Sequence, residues 1–377
     1  FGPDFPKDEL KRRFSVELMR LAGDGSIPLK PGLKECFEGL RQQLVAGLSA
    51  SASGLTTWGG DLAGYSGEPT DTVFARGVQF AAFQPIMRSH GTSSRFPWDY
   101  GAAAEATYKQ HYWLRENLLN KIYSSAIKSS ITGYPITTPL TMEYPFDSSL
   151  DGVYETYLFC DDLLVTPVLS ESVYTYTVNF PKGTWYGLWN GERIEGGSSK
   201  DVEAPIDKSP VYLRAGSVIP VTLSDELVLA GSMLDTDTAE ALLVTVPDSD
   251  RSTIFYRSAE DSVEYKNTIV DGNAFRVTAG AGNSAAAIIL KGVAAYSVKA
   301  DGKELERLDR PPSASGKAGF YSRDNGETVI NIGNSDWETV DINLGKMDMP
   351  NLMLEASVNN NEFKSAIDGD WYTSYQF

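Results

Sequence analysis

The side chains best placed for chemistry close short apolar runs in the first hundred residues. Asp61 follows Gly54-Leu55-Thr56-Thr57-Trp58-Gly59-Gly60, and Arg88-Ser89-His90 follows Phe83–Met87. Arg88 reads two ways, as a guanidinium positioning a carboxylate through paired hydrogen bonds or as half of a surface ion pair. Asp24 lies between Gly23 and Gly25, residue types that by themselves indicate a turn or N-cap carboxylate. Asp4 stands in the opening Phe1-Gly2-Pro3-Asp4-Phe5-Pro6. Trp58, and Trp98 after Pro97, offer flat apolar faces to a ligand or to the interior. Of the two histidines, His111 falls in a helix-like stretch, on the surface or in packing. Cys36 and Cys160 lie far apart without metal-ligand spacing, so neither a disulfide framework nor a zinc site is indicated.

Elements must hold these groups in place. Leu33, Phe37, Leu40 and Leu44 recur at three- and four-residue steps, which predicts one buried helix face. A second helix follows Gly67-Glu68-Pro69-Thr70, with Pro69 as its first residue. A long helix is expected from about Ala104 to Lys128, with Leu114, Leu118, Ile122 and Ala126 on one stripe. Repeated strand–loop–helix units with polar residues at the strand ends suit a parallel α/β barrel. Near residue 150 the pattern changes. Leu163–Val165, Val211–Leu213 and Ala241–Val246 read as strands between turns such as Pro181-Lys182-Gly183 and Trp189-Asn190-Gly191. These imply two small sandwiches with a break near Pro220 to Leu229.

The 377 residues exceed one ordinary domain and suggest about two to four. Aromatics make up 11%, which suits thick β-structure or a sugar-binding surface. The net charge of −17 excludes nucleic acid and anionic membrane as partners, since both need a basic face. No apolar run approaches the roughly 18 residues of a membrane span. The chain opens at Phe1 without the basic and apolar regions of a leader, and is expected to be processed or cut from something longer.

An ordered series of motifs carries a family resemblance. It runs through Trp58-Gly59-Gly60-Asp61-Leu62-Ala63-Gly64-Tyr65-Ser66-Gly67, Arg76–Phe80, Phe83–Gly91, Pro97-Trp98 and Tyr134-Pro135-Ile136. It continues in Asp161-Asp162-Leu163-Leu164-Val165-Thr166-Pro167-Val168, Gly183-Thr184-Trp185-Tyr186 and Ser209–Pro220. Together these resemble glycoside hydrolase family 31, the α-glucosidase superfamily. The resemblance implies the C-terminal part of a (β/α)8 TIM barrel over residues 1–150, followed by all-β sandwich domains. These would be a proximal β-sandwich over 151–223 and a distal one over 224–347. From residue 348 to 377, Ala356-Ser357, Ala366-Ile367-Asp368-Gly369-Asp370 and Thr373 resemble the incomplete start of a discoidin-like (F5/8-type) carbohydrate-binding module.

The implied chemistry is retaining hydrolysis of terminal α-linked sugars by two aspartates, whose carboxyls lie roughly 5–5.5 Å apart. The family carries its acid/base in a Trp-x-Gly-Asp-type motif one helix before the Asp61 segment. Leu21-Ala22-Gly23-Asp24 matches that place, with Leu21 where the family has Trp, and assigns Asp24 as general acid/base. Some members carry the nucleophile in Asp-Phe-Gly-Glu-x-x-Pro. Phe1-Gly2-Pro3 then puts that aspartate just before Phe1, in an upstream segment, with Asp4 the alternative within the chain. His90 resembles the histidine that bonds the sugar at the −1 subsite. Asp61 is expected there too, bonding the sugar or steadying barrel loops, and Arg88 is counted with the substrate-binding groups. Trp58 and Trp98 wall the sugar or fill the barrel, and Trp185, Tyr186 and Trp189 pack the proximal β-domain. No cofactor or metal is implied, because two carboxylates and binding energy suffice.

α-Glucosides are the first expectation for substrate. α-N-acetylgalactosaminides, α-galactosides, α-xylosides and transglycosylation follow, and a non-catalytic carbohydrate-binding subunit is the alternative of another class. A secreted, periplasmic or cell-surface location is expected from the discoidin-like start.

Overall fold

The computed structural model describes residues 37–171 and 173–345. Asp4, Asp24 and the discoidin-like stretch lie outside the described residues. Helix α1 (Phe37–Ala52) buries Leu40 and Leu44 of the expected face and adds Leu48 one turn further on. Helix α2 (Asp71–Ala82) begins differently from expectation. Thr70 is its N-cap, accepting the Val73 N–H at 3.3 Å, so Pro69 stands before the cap rather than inside the first turn.

The long helix expected over 104–128 is two helices, α3 (Gly101–Asn117) and α4 (Leu119–Thr132). They meet at Leu118, whose φ of −86° and ψ of −2° depart from helical values. The Leu118 N–H still reaches Leu114 O at 3.0 Å, and the Ile122 N–H reaches Leu118 O at 2.9 Å. The buried stripe Leu114, Leu118, Ile122 therefore crosses the junction unbroken, which is why periodicity shows a single helix.

The segment before α2 and the one before α3 run side by side and parallel. Trp58 O accepts from the Ile86 N–H at 3.2 Å, Arg88 O accepts from the Leu62 N–H at 2.9 Å, and Asp61 and Arg88 form a parallel bridge. Ile136 also reaches the first segment, its N–H 3.4 Å from Thr56 O. Each segment is followed by a loop and a helix, the order of a β/α unit.

The rest is β-structure. An antiparallel sheet orders its strands Thr137–Pro139, Tyr157–Phe159, Leu163–Val165, Val211–Arg214, Thr184–Gly187 and Arg193–Glu195. Thr175–Phe180 pairs separately with Ser198–Glu203. Trp185 and Tyr186 are buried in this unit, and Trp189 Nε1 donates to Ser209 O at 2.8 Å, as expected of packing residues.

Beyond it, a five-stranded sheet faces a six-stranded one over a shared core. Leu242, Val244, Ile288 and Ile330 meet Tyr265, Phe275, Val277 and Ile342. The expected divisions at 150 and 223 fall inside strand pairings. Thr137–Pro139 already pairs with Tyr157–Phe159, and Val218–Ser224 pairs with Thr238–Thr245. Pro220, which suggested a break, lies in this last strand at the sheet edge, where a missing N–H is tolerated.

Candidate functional site

Two glycines bring the strand-like segments together. A Cβ on Gly59 would stand 2.3 Å from Ile86 O, and one on Gly60 would overlap the Gln43 side chain of α1. The Gly60 N–H is held by Gln84 Oε1 at 2.9 Å. Close approach carries Asp61 to Arg88. Arg88 Nε donates to Asp61 Oδ1 at 2.7 Å, and its Nη2 lies 2.5 Å from the same oxygen. The carboxylate side chain is 4% exposed and the guanidinium 58%. Asp61 is thus fixed by an ion pair, while Arg88 keeps donor capacity facing outward.

His90 lies exposed two residues on, its ring 5.3 Å from that of Tyr65. Both belong to loops that follow the parallel segments, and such loops carry binding groups in α/β barrels. Arg95, only 5% exposed, ties the two loops together. Its Nε and Nη2 donate to Gly64 O at 3.2 and 2.8 Å, its Nη2 also to Gly67 O at 3.3 Å, and its Nη1 to Ser94 O at 2.8 Å. Thr92 N–H adds a bond to Tyr65 O at 2.8 Å. A Cβ on Gly91 would come within 2.9 Å of both the Arg95 guanidinium carbon and Tyr65 O, so only glycine fits between them.

Trp98 projects from the same second loop, 62% exposed, stacked on Phe96 with ring centroids 4.9 Å apart. Trp58 behaves otherwise. Its indole lies where a Gly47 side chain would be, 2.4 Å from a Cβ built there, and Nε1 donates to Ser51 Oγ at 2.9 Å. Both partners belong to α1, so Trp58 packs strand against helix and the sugar-wall alternative has no support in its contacts.

Beneath the site, buried polar groups anchor α2 and α3 to the β-domain. Arg76 Nη2 donates to Ala204 O at 2.6 Å and Gln79 Nε2 to Ile206 O at 2.8 Å. Burial lowers the Arg76 guanidinium to about 10, against the opposing pull of Asp207. His111 is fully buried rather than on the surface, with Nδ1 2.9 Å from Thr107 O and Nε2 3.2 Å from Ser209 Oγ. Burial lowers its imidazole to about 4, so it is neutral and structural at pH 7.

Asp61, Arg88 and His90 were legible from sequence, and the structure brings them to one end of two adjacent segments. Tyr65 lay unremarked inside a quoted motif. Arg95 fell between two motif pieces, and no periodicity marks a loop arginine whose partners are mainly backbone carbonyls. Among the described residues, no group of three or more His, Cys, Asp or Glu side chains could hold a metal. A guanidinium, an imidazole and an aromatic face together are groups that can bond and stack against a hydroxyl-rich ligand. Its one buried carboxylate is already engaged by Arg88.

A β/α unit whose strand-end loops carry exposed polar groups, followed by antiparallel sheets, defines a barrel enzyme's C-terminal part with appended β-domains. Residues 33–125 match the glycosyl hydrolases family 31 TIM-barrel domain, and residues 133–219 match the glycosyl hydrolase family 31 C-terminal domain. The chain belongs to glycoside hydrolase family 31. It is 33% identical over 211 residues to an isomaltosyltransferase of Sporosarcina globispora, covering 52% of this chain and 19% of that protein. It is 36% identical over 189 residues to an α-xylosidase of Saccharolobus solfataricus, covering 48% and 26%. The cycloalternan-forming enzyme of Listeria monocytogenes, solved with a pentasaccharide substrate, superposes with a TM-score of 0.73 at 27% identity, over 82% of this chain and 31% of that one. The chain thus spans less than a third of the length of these relatives.

Proposed function

We propose that the protein bearing this chain is a retaining, exo-acting α-glycosidase that removes terminal α-linked sugars, α-glucosides first among them. The observation that carries the reading is the placement of Asp61, Arg88 and His90 together at the ends of adjacent segments inside the family-matched barrel region. In this mechanism Asp24 protonates the leaving oxygen, and an aspartate from an upstream segment attacks the anomeric carbon, forming a covalent glycosyl-enzyme that water hydrolyses. Arg88 and His90 hold sugar hydroxyls, and Asp61 keeps the guanidinium oriented. The location proposed is secreted, periplasmic or cell-surface.

Transglycosylation is the second reading, favoured by likeness to an isomaltosyltransferase and to a cycloalternan-forming enzyme. In that case a sugar hydroxyl replaces water in the second step.

The test uses the full-length protein on aryl α-glycosides and on α-linked disaccharides. Asp24→Asn should abolish turnover of the disaccharides while sparing glycosylation by activated aryl substrates, which need no proton on the leaving group. Equal loss on both removes Asp24 from the acid/base role. New oligosaccharides at high substrate concentration would establish transfer over hydrolysis.

A further inference from the structure

A cleft of about 520 Å³ opens where α4, the first sheet and the strand Arg251–Tyr256 meet. None of its lining residues belongs to the site at Asp61, Arg88 and His90. Four cations face three carboxylates across it: Lys121, Lys128, Arg214 and Arg251 against Glu143, Asp161 and Asp162.

Every one of those carboxylates has its cation. Asp162 takes Lys121 Nζ at 2.8 Å and Arg251 Nη2 at 2.8 Å. Asp161 takes Lys128 Nζ at 2.6 Å. Glu143 takes Arg214 Nη1 at 3.0 Å and the Tyr134 hydroxyl at 2.6 Å. One positive charge is left over, in a chain whose net charge is −17.

The unmatched donors are specific atoms. Arg214 Nε and Nη2 are buried and have no hydrogen-bond partner, and neither has Arg251 Nε. Nε and Nη2 form one edge of the guanidinium, whose two N–H groups point the same way and fit two oxygens of one group. The guanidinium is held in place by Glu143 at Nη1 and lies over the rings of Tyr144 and Trp185, 5.5 and 5.8 Å from their centroids. Buried donors left unpaired in this way mark a place for an ordered water or ion. A water offers this edge one oxygen, whereas a carboxylate or phosphate offers two and answers the surplus charge.

We propose that this cleft binds a compact two-oxygen anion, a phosphate or carboxylate group, on the Nε/Nη2 edge of Arg214, with Arg251 and Lys128 around it. The anion is either free in solution or carried on a sugar.

Isothermal titration calorimetry of the full chain with inorganic phosphate, glucuronate and glucose tests this. Saturable binding of phosphate alone supports a free anion, and saturable binding of glucuronate supports a sugar-borne one. Arg214→Lys keeps a charge opposite Glu143 but removes the fork, and should weaken binding by about tenfold or more. Should that variant not fold, Lys128→Met at the partly exposed mouth replaces it and should weaken binding severalfold. No saturable binding of either anion up to about 10 mM, or anion affinity unchanged in the folded variant, overturns the proposal.

Discussion

Asp61 and Arg88 are one unit, and their unequal exposure decides what each substitution does. Arg88→Ala leaves a buried carboxylate without its charge-assisted bonds. It should lower stability by about 1–3 kcal/mol, read as the urea midpoint at unchanged slope, together with a fall in kcat/KM. His90→Ala touches an exposed ring, so kcat/KM should fall while the urea midpoint stays put. Unchanged kinetics would return His90 to a surface role. His111 makes the contrasting case. Its folded-state pKa lies near 4, below the unfolded value of about 6.5, so the unfolded chain binds the extra proton between those values. The stability it contributes is complete above about pH 6.5 and declines as pH falls towards 4, by a total on the order of 3 kcal/mol. His111→Gln should flatten the stability–pH curve across that window, and an unaltered curve would contradict the buried neutral assignment.

At the scale of elements, glycines set the geometry more than helices do. Gly59→Ala would push a methyl into the Ile86 backbone carbonyl, 2.3 Å away. Backbone cannot swing aside as a side chain can, so the parallel segments must separate. The expected result is a loss of about 1–3 kcal/mol, with kcat/KM falling because Asp61 and Arg88 no longer meet. The helices and their buried stripes were readable from apolar spacing, as Leu40, Leu44, Leu114 and Ile122 demonstrate. The break at Leu118 was not, since it preserves the stripe. Thr137–Pro139 was hidden for a different reason: three residues carry no period, and only the pairing with Tyr157–Phe159 makes them a strand. The polar ends Asp61 and Arg88 were visible because charge after an apolar run is unusual. Arg95, bonded mainly to loop carbonyls, left no such signal.

Over the whole molecule, Asp162 joins the three parts of the chain. It lies 1% exposed between Lys121 of α4 and Arg251 of the distal sheet, and accepts Ser217 Oγ at 3.0 Å. Burial opposes its charge, but Lys121 and Arg251 outweigh burial and hold the carboxyl well below the ordinary aspartate range. Lys121→Met should cost about 3–5 kcal/mol and, by loosening the seat of α4, lower the thermal midpoint of barrel and β-domains together. Two separated transitions in calorimetry would contradict that coupling. The proposed mechanism rests on both aspartates acting from opposite faces of one sugar, and stereochemistry reports on that directly. Proton NMR of the first sugar released by the full-length protein from an aryl α-glucoside is the decisive measurement. The α-anomer appearing first, followed by mutarotation, is the predicted result. The β-anomer appearing first would contradict double displacement, and no release of any α-linked sugar would contradict the glycosidase assignment itself.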